Sequence, residues 1–169
     1  MPTLEHFLCE SPIGTLTLIK SGGVLSGLYL EQYRHGPSEI PGARVTHGFE
    51  REAEQLAEYF AGERTEFSLL LAPEGTPYQE RVWKTLQAIP FGETWSYKQL
   101  AQAVGGGTVA RAVGSANARN PISIVIPCHR VIGAGGTLVG YGGGLESKRF
   151  LLEHESAASR LAFDAPLQR

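Results

Sequence analysis

Three observations predict an α+β chain with a small N-terminal α/β unit and a mainly helical C-terminal domain. Residues 15–30 hold two alternating apolar runs separated by Ser21-Gly22-Gly23, the pattern of a β-hairpin. Residues 76–118 instead show helical spacing three times over, with a capping box opening each of the first two helices. Between the halves, Ala72-Pro73-Glu74-Gly75 reads as a linker. The expected division is 1–72 for the N-terminal unit, 73–76 for the linker, 77–157 for the helical domain and 158–169 for a tail.

In the first unit, Thr15 to Ile19 and Val24 to Leu30 are the two strands, and Gly22 and Gly23 supply the positive φ of a tight turn. A polar loop containing Pro37 and Pro41 follows. Phe49, Ala53, Leu56, Ala57 and Phe60 then share one helical face, which Gly62 ends. Phe67 to Leu71 reads as a further strand.

The second unit opens on Thr76 as N-cap, Pro77 at the first helical position and Gln79 completing the box. Val82, Trp83, Leu86 and Ile89 form the apolar stripe, and Pro90-Phe91-Gly92 breaks the helix. Ser96 with Gln99 opens a second helix whose Tyr97, Leu100, Ala103 and Val104 share a face. After the turn Gly105-Gly106-Gly107, Thr108 is expected to cap a third helix, Val109 to about Ala118. Two short helices around a glycine turn, the second bearing Arg111 and Arg119, outline a helix-turn-helix; an ordinary αα-hairpin fits equally. Asn120-Pro121 closes that helix. Ile122 to Ile126 is apolar and β-branched, hence expected to be buried and extended, delivering the chain to Pro127-Cys128-His129-Arg130. Seven glycines between Gly133 and Gly144 surround Tyr141, either to let backbone approach a ligand or as a loose loop. A last helix, Leu145 to Glu155, is expected to bury Leu145, Phe150, Leu151 and Leu152.

Composition narrows the class. Hydrophobic residues at 42% and charged residues at 19% suit a soluble globular chain, and no stretch of about 18 apolar residues is present to span a bilayer. The N-terminus lacks a basic leader with an apolar run, so an intracellular, cytoplasmic protein is expected, with Cys9 and Cys128 as free thiols rather than a disulfide. The net charge of -2 hides an asymmetry: residues 1–97 carry thirteen acids and seven Lys/Arg, whereas residues 98–149 carry six Lys/Arg and only Glu146. One face suited to a polyanion produces such a split, and so does ordinary surface charge.

Cys128 sits between a proline and an imidazole. A nearby His lowers a thiol's pKa and raises its thiolate fraction, although a buried core cysteine has the same sequence appearance. The hexapeptide Ile126-Pro127-Cys128-His129-Arg130-Val131 resembles the active-site signature of the O6-alkylguanine-DNA alkyltransferases. The resemblance continues through Tyr78-Gln79, Val82-Trp83, Ile89-Pro90-Phe91-Gly92-Glu93, Ser96-Tyr97, Arg111-Ala112-Val113-Gly114, Asn120-Pro121, Tyr141-Gly142-Gly143-Gly144-Leu145 and Leu151-Leu152-Glu153-His154-Glu155. It covers essentially all of residues 77–156 with the family's spacing; in the first unit the match is loose.

The resemblance implies a winged helix-turn-helix domain that repairs O6-alkylguanine, and O4-alkylthymine, in double-stranded DNA by moving the alkyl group to Cys128. His129 would be the base, acting through a water, and Glu155 its orienter. Asn120 would tie the helix-turn-helix to the active-site segment. Tyr97 would donate to the departing guanine. Arg111 would fill the gap left by the flipped nucleotide, with Thr108, Ala112, Ser115, Asn117 and Arg119 also facing DNA. Tyr97, Val131, Tyr141 and Gly142 would form the base pocket, the carbonyls of Cys128 and Val131 accepting from the exocyclic amine. A thioether cannot be reopened by any residue here, so each molecule should act once. Some relatives bind zinc through N-terminal cysteines and histidines; here His6 and Cys9 fall short of four ligands, so neither metal nor cofactor is expected. The expected partner is DNA, bound by a monomer, either singly or cooperatively along it, with a nucleoid-associated bacterial location. Two other readings of the residues are a non-catalytic winged-helix DNA binder and a Cys-His-Glu hydrolase that turns over repeatedly.

Overall fold

The computed structural model describes residues 2–138 and 141–164. Four strands form the N-terminal sheet: β1 (Leu4–Ser11), β2 (Gly14–Ser21), β3 (Val24–Tyr29) and the short β4 (Ala43–Arg44). Their order is β3-β2-β1-β4, antiparallel but for β4, which runs parallel to β1. Gly22 and Gly23, at φ of 57° and 82°, make the expected β2–β3 turn. Strand β1 has no counterpart among the expected elements. Glu5, His6 and Glu10 interrupt its apolar pattern, and backbone pairing from Leu4↔Ser21 to Ser11↔Gly14 defines it instead.

Helix α1 (Glu50–Phe60) buries Leu56 and Tyr59 against the sheet, with Phe49 just ahead of it stacked on Phe7 at 5.5 Å. Gly62 follows at φ 78° and donates to the Tyr59 carbonyl. The strand expected at Phe67–Leu71 is absent. Only Leu71 bridges to Leu25, because Ser68 is occupied by a side chain: its N–H donates to Gln55 Oε1 (2.9 Å) and its carbonyl accepts from Gln55 Nε2 (3.3 Å).

The second half contains α2 (Pro77–Leu86), β5 (Trp95–Ser96), α3 (Tyr97–Val104), α4 (Ala110–Ala118), β6 (Val131–Ile132) and α5 (Leu145–Asp164). Both capping boxes form. Trp83 donates from Nε1 to the Ala116 carbonyl (2.8 Å), fixing α2 against α4. Two expectations fail here. On α3 the buried partner of Leu100 is Ala101, and Ala103 is exposed. Thr108 does not cap α4; its hydroxyl turns back to the Gly105 carbonyl (2.7 Å), and Val109 takes the N-cap position without a side-chain bond.

The final helix also differs from expectation. It extends past Glu155 to Asp164, taking in most of the expected tail, of which 165–169 lie outside the described residues, as does Gly140 of the glycine-rich stretch. Leu145 and Phe150 are exposed, Leu152 is half-buried, and the buried stripe of α5 is Lys148, Leu151 and Glu155. A single core joins both halves: Leu16, Leu18, Leu28 and Leu56 pack with Val82, Trp83, Leu100, Ile122 and Leu151. Each such side chain contributes roughly 1.5–3 kcal/mol on burial, so the halves stabilise one another.

Candidate active site

The site is built on the segment between α4 and β6. Ile122–Ile126 is buried as expected but not extended. Ile122 bridges to Leu28, and the chain then coils through two successive three-residue turns. Val125 N–H donates to the Ser123 carbonyl across Ile124, and Cys128 N–H donates to the Ile126 carbonyl across Pro127 (both 2.8 Å). Ile124 lies at φ 72°, the only non-glycine residue in that region among the described residues. A β-branched residue there costs of order 1–3 kcal/mol, which the surrounding fold must overcome. Asn120 is the tie. Its Nδ2 donates to the Ile126 carbonyl (2.8 Å) and the Ile122 carbonyl (3.4 Å), while its Oδ1 accepts from Ile122 N–H (3.0 Å). Alternating apolar residues cannot reveal a turn held by one amide side chain.

Cys128 starts a single 3-10 turn, Cys128–Arg130, and is 2% exposed. The expectation that His129 lowers its pKa is not met. Burial pushes the thiol up to about 11, and Asn120, Lys148 and the Tyr141 hydroxyl offset only part of that. His129 is itself held below its ordinary pKa by burial, despite the pull of Glu155. At neutral pH the resting pair is therefore thiol and neutral imidazole. Thiolate absorbance of the free protein should accordingly rise with a midpoint near 11; a Cys128 step at pH 8 or below would contradict this.

Glu155, 1% exposed, collects the polar groups behind the thiol. His129 Nε2 lies 2.7 Å from its Oε2, and Arg130 grips both oxygens, Nε to Oε1 at 2.8 Å and Nη2 to Oε2 at 3.0 Å. Burial alone would raise this carboxyl, but His129 and Arg130 together hold it well below the usual carboxylate range. An ionised carboxylate accepts only, so His129 carries its proton on Nε2. Nδ1 is then unprotonated; it is buried and makes no hydrogen bond to the described residues.

The other expected residues divide. Tyr97 is half-buried at the start of α3, and the neighbouring Cys128 adds to the burial that raises its phenol. Val131, Tyr141 and Gly142 are buried around the same segment. Burial, with Cys128 as a further contributor, raises Tyr141 well above its ordinary value. A Cβ at position 142 would lie 2.8 Å from the Tyr33 ring, so only glycine fits there. Arg111, Ala112, Ser115 and Arg119 are exposed along α4, with Thr108 half-buried before it. Asn117 is a correction: placed with the DNA-facing residues by sequence, it is 1% exposed and points inward, its Nδ2 3.4 Å from the Cys128 carbonyl.

Sequence reasoning missed several participants. Lys148, fully buried, donates to the Val131 carbonyl at 2.6 Å, and burial brings its ammonium down to about 8 while Cys128 opposes that shift. Tyr33 donates from Oη to the carbonyls of Ala118 (2.8 Å) and Asn120 (2.5 Å), and Arg34 N–H meets the Gly142 carbonyl (2.8 Å). Arg130 forms the ion pair described above. A signal existed for Lys148: positions 148, 151 and 155 share one helical face, so the lysine lies on the same side of α5 as Leu151 and the expected orienter Glu155. Among the described residues no group of three or more His, Cys, Asp or Glu could hold a metal, both cysteines are free, and no helix is long and apolar enough to cross a membrane.

Comparison with known proteins agrees across the chain. Residues 77–157 match the DNA-binding domain of 6-O-methylguanine DNA methyltransferase, and residues 5–73 match its ribonuclease-like domain. A methylated-DNA–protein-cysteine methyltransferase of Mycolicibacterium paratuberculosis is 48% identical over 164 residues, covering 95% of this chain and 99% of its own. One from Salmonella typhimurium is 44% identical, covering 86% and 91%. The solved Mycobacterium tuberculosis O6-methylguanine methyltransferase superposes with a TM-score of 0.87 at 46% identity, covering 98% of this chain and 97% of that one. The M. tuberculosis OGT in complex with DNA superposes at 0.83 with 49% identity, covering 91% and 94%. With likeness of this extent over both halves, the chain belongs to the methylated-DNA–protein-cysteine methyltransferase family.

Proposed function

We propose that this protein repairs O6-alkylguanine, and O4-alkylthymine, in duplex DNA by moving the alkyl group onto Cys128 once per molecule. The observation that carries the reading is the buried His129–Glu155 pair immediately after the buried Cys128, with Glu155 fixing the imidazole so that Nδ1 is left to take a proton. Cys128 Sγ attacks the alkyl carbon in line; the C–O bond to guanine breaks as the C–S bond forms. The thiol proton passes through a water to His129 Nδ1. Tyr97 donates to the leaving base, whose negative charge grows in the transition state. Because the resting thiol is protonated, its deprotonation belongs to the reaction itself, beside the Lys148 ammonium. Val131, Tyr141 and Gly142 enclose the flipped base.

Residues 77–157 carry the chemistry and 73–76 link them to the N-terminal unit of 1–72. Arg111 on the exposed side of α4 replaces the flipped nucleotide in the stack, flanked by Thr108, Ala112, Ser115 and Arg119. We further propose a cytoplasmic, nucleoid-associated monomer able to bind cooperatively along DNA.

Product should saturate at one equivalent per protein with an O6-methylguanine oligonucleotide; continued release would favour a hydrolase, and no transfer a plain DNA binder. Arg111→Ala should slow repair in duplex DNA by about tenfold or more, since extrusion of a stacked base costs a few kcal/mol, while barely changing reaction with the free base. Equal slowing of both would remove Arg111 from extrusion.

A further inference from the structure

Tyr59 belongs to α1 of the N-terminal unit, yet its hydroxyl reaches the acid of the site. Its Oη donates to Glu155 Oε2 at 2.7 Å. The same oxygen accepts from His129 Nε2 at 2.7 Å and Arg130 Nη2 at 3.0 Å. Since Glu155 is ionised and accepts only, the phenol must be the donor. Tyr59 is fully buried. Its ring packs edge-on against Phe60 and Phe91, at 5.1 and 6.1 Å, and tilted against Phe67 at 5.5 Å. Its backbone carbonyl lies 2.7 Å from His154 Nε2. The hydroxyl is thus held in place from several sides.

We propose that Tyr59 is a positioning residue for the transfer, setting the basicity of His129 through the carboxylate oxygen that both share. The proposal rests on the reading of His129 as the base. A carboxylate oxygen with an added donor has less charge to offer the others. The Tyr59 bond therefore stabilises the imidazolium less than Glu155 alone would, keeping the imidazole neutral and Nδ1 ready for the thiol's proton. This gives the N-terminal unit a direct part in the chemistry, delivered by one hydroxyl. The other titratable or charged groups facing the cluster are Arg130, Lys148, Tyr141 and His154, with Cys128 next to His129 in the chain, and Tyr59→Phe leaves all of them in place.

Tyr59→Phe removes one oxygen and keeps the ring packing. Imidazole nitrogen NMR should show His129 titrating about half a pH unit or more higher in the variant, a modest share of one charge-assisted hydrogen bond. The acid limb of the single-turnover rate profile should move upward with it. Superimposable His129 titrations over the pH range in which both proteins stay folded would overturn the proposal, as would a lowered melting temperature with no such displacement. In the Glu155→Gln background no charge remains to be shared, so adding Tyr59→Phe should no longer displace His129; an undiminished shift there would also overturn it. A displaced His129 titration with an unmoved rate limb would leave the coupling standing and refute His129 as the base.

Discussion

Glu155→Ala should destabilise the protein by about 3–5 kcal/mol, the usual cost of removing one partner from a buried ion pair, and should bring alkyl transfer close to zero. The cost comes from what the substitution leaves behind. Arg130, 7% exposed, loses two bonds to the carboxylate and retains the Ile89 carbonyl at 2.7 Å and the face of the Phe91 ring. His129 and Tyr59 lose their shared acceptor, and the Gly92 N–H loses a 3.4 Å contact. Denaturant melts check the first part, and a single-turnover assay below the melting transition checks the second. A loss under 1 kcal/mol would contradict the described network.

The same network sets the acid behaviour. Glu155 has a folded pKa below its unfolded one, so its contribution is present above about pH 4.3 and fades as pH falls towards the much lower folded value. His129, also depressed, acts in the same direction below about 6.5, where the unfolded chain binds the proton that the folded one resists. Acid unfolding of the native protein should therefore begin below about pH 6.5 and steepen below about 4.3.

Cys128→Ala should abolish transfer while keeping affinity for lesion-bearing duplex within about threefold, because the thiol is buried behind the exposed face of α4 and removing one sulfur costs about 1 kcal/mol of stability at most. It should also change the alkaline limb of stability. The folded pKa of Cys128 is raised from 9.0 to about 11. That stabilisation is complete below pH 9.0 and is lost as pH rises towards about 11. Over this window the native protein should lose about 2–3 kcal/mol that the alanine variant retains. Parallel alkaline melts of the two proteins would show that the thiol is not buried as described.

Much of this was legible in the sequence where local chemistry decides structure. The capping boxes at Thr76 and Ser96, the Gly22-Gly23 turn and the arrest at Gly62 depend on near neighbours, and all four appear. Elements that depend on distant partners were hidden. Strand β1 exists by pairing with β2, and the two-residue strands β5 and β6 exist only as each other's parallel partner. The coil of Ile122–Ile126 is dictated by Asn120, whose hydrogen bonds override the extended preference of β-branched residues.

At the site, residue types could be read but their electrostatics could not. A Cys-His pair in sequence suggests a lowered thiol; full burial reverses the sign. Asn117 lies two residues from exposed Ser115 and Arg119 on a helix expected to face DNA, but the inward face of α4 claims it. Lys148 escaped notice because a lysine on an amphipathic helix is ordinary, and Tyr59 because it falls outside the apolar face expected for α1; only their polar atoms, meeting Val131 and Glu155, reveal them.

The most direct test of the central claim is intact-protein and peptide mass spectrometry after the native chain meets duplex bearing O6-methylguanine. One added methyl, confined to the peptide holding Cys128 and leaving Cys9 unmodified, is the predicted result. An unchanged mass, or a methyl carried elsewhere while the Cys128 thiol still titrates, would contradict the account.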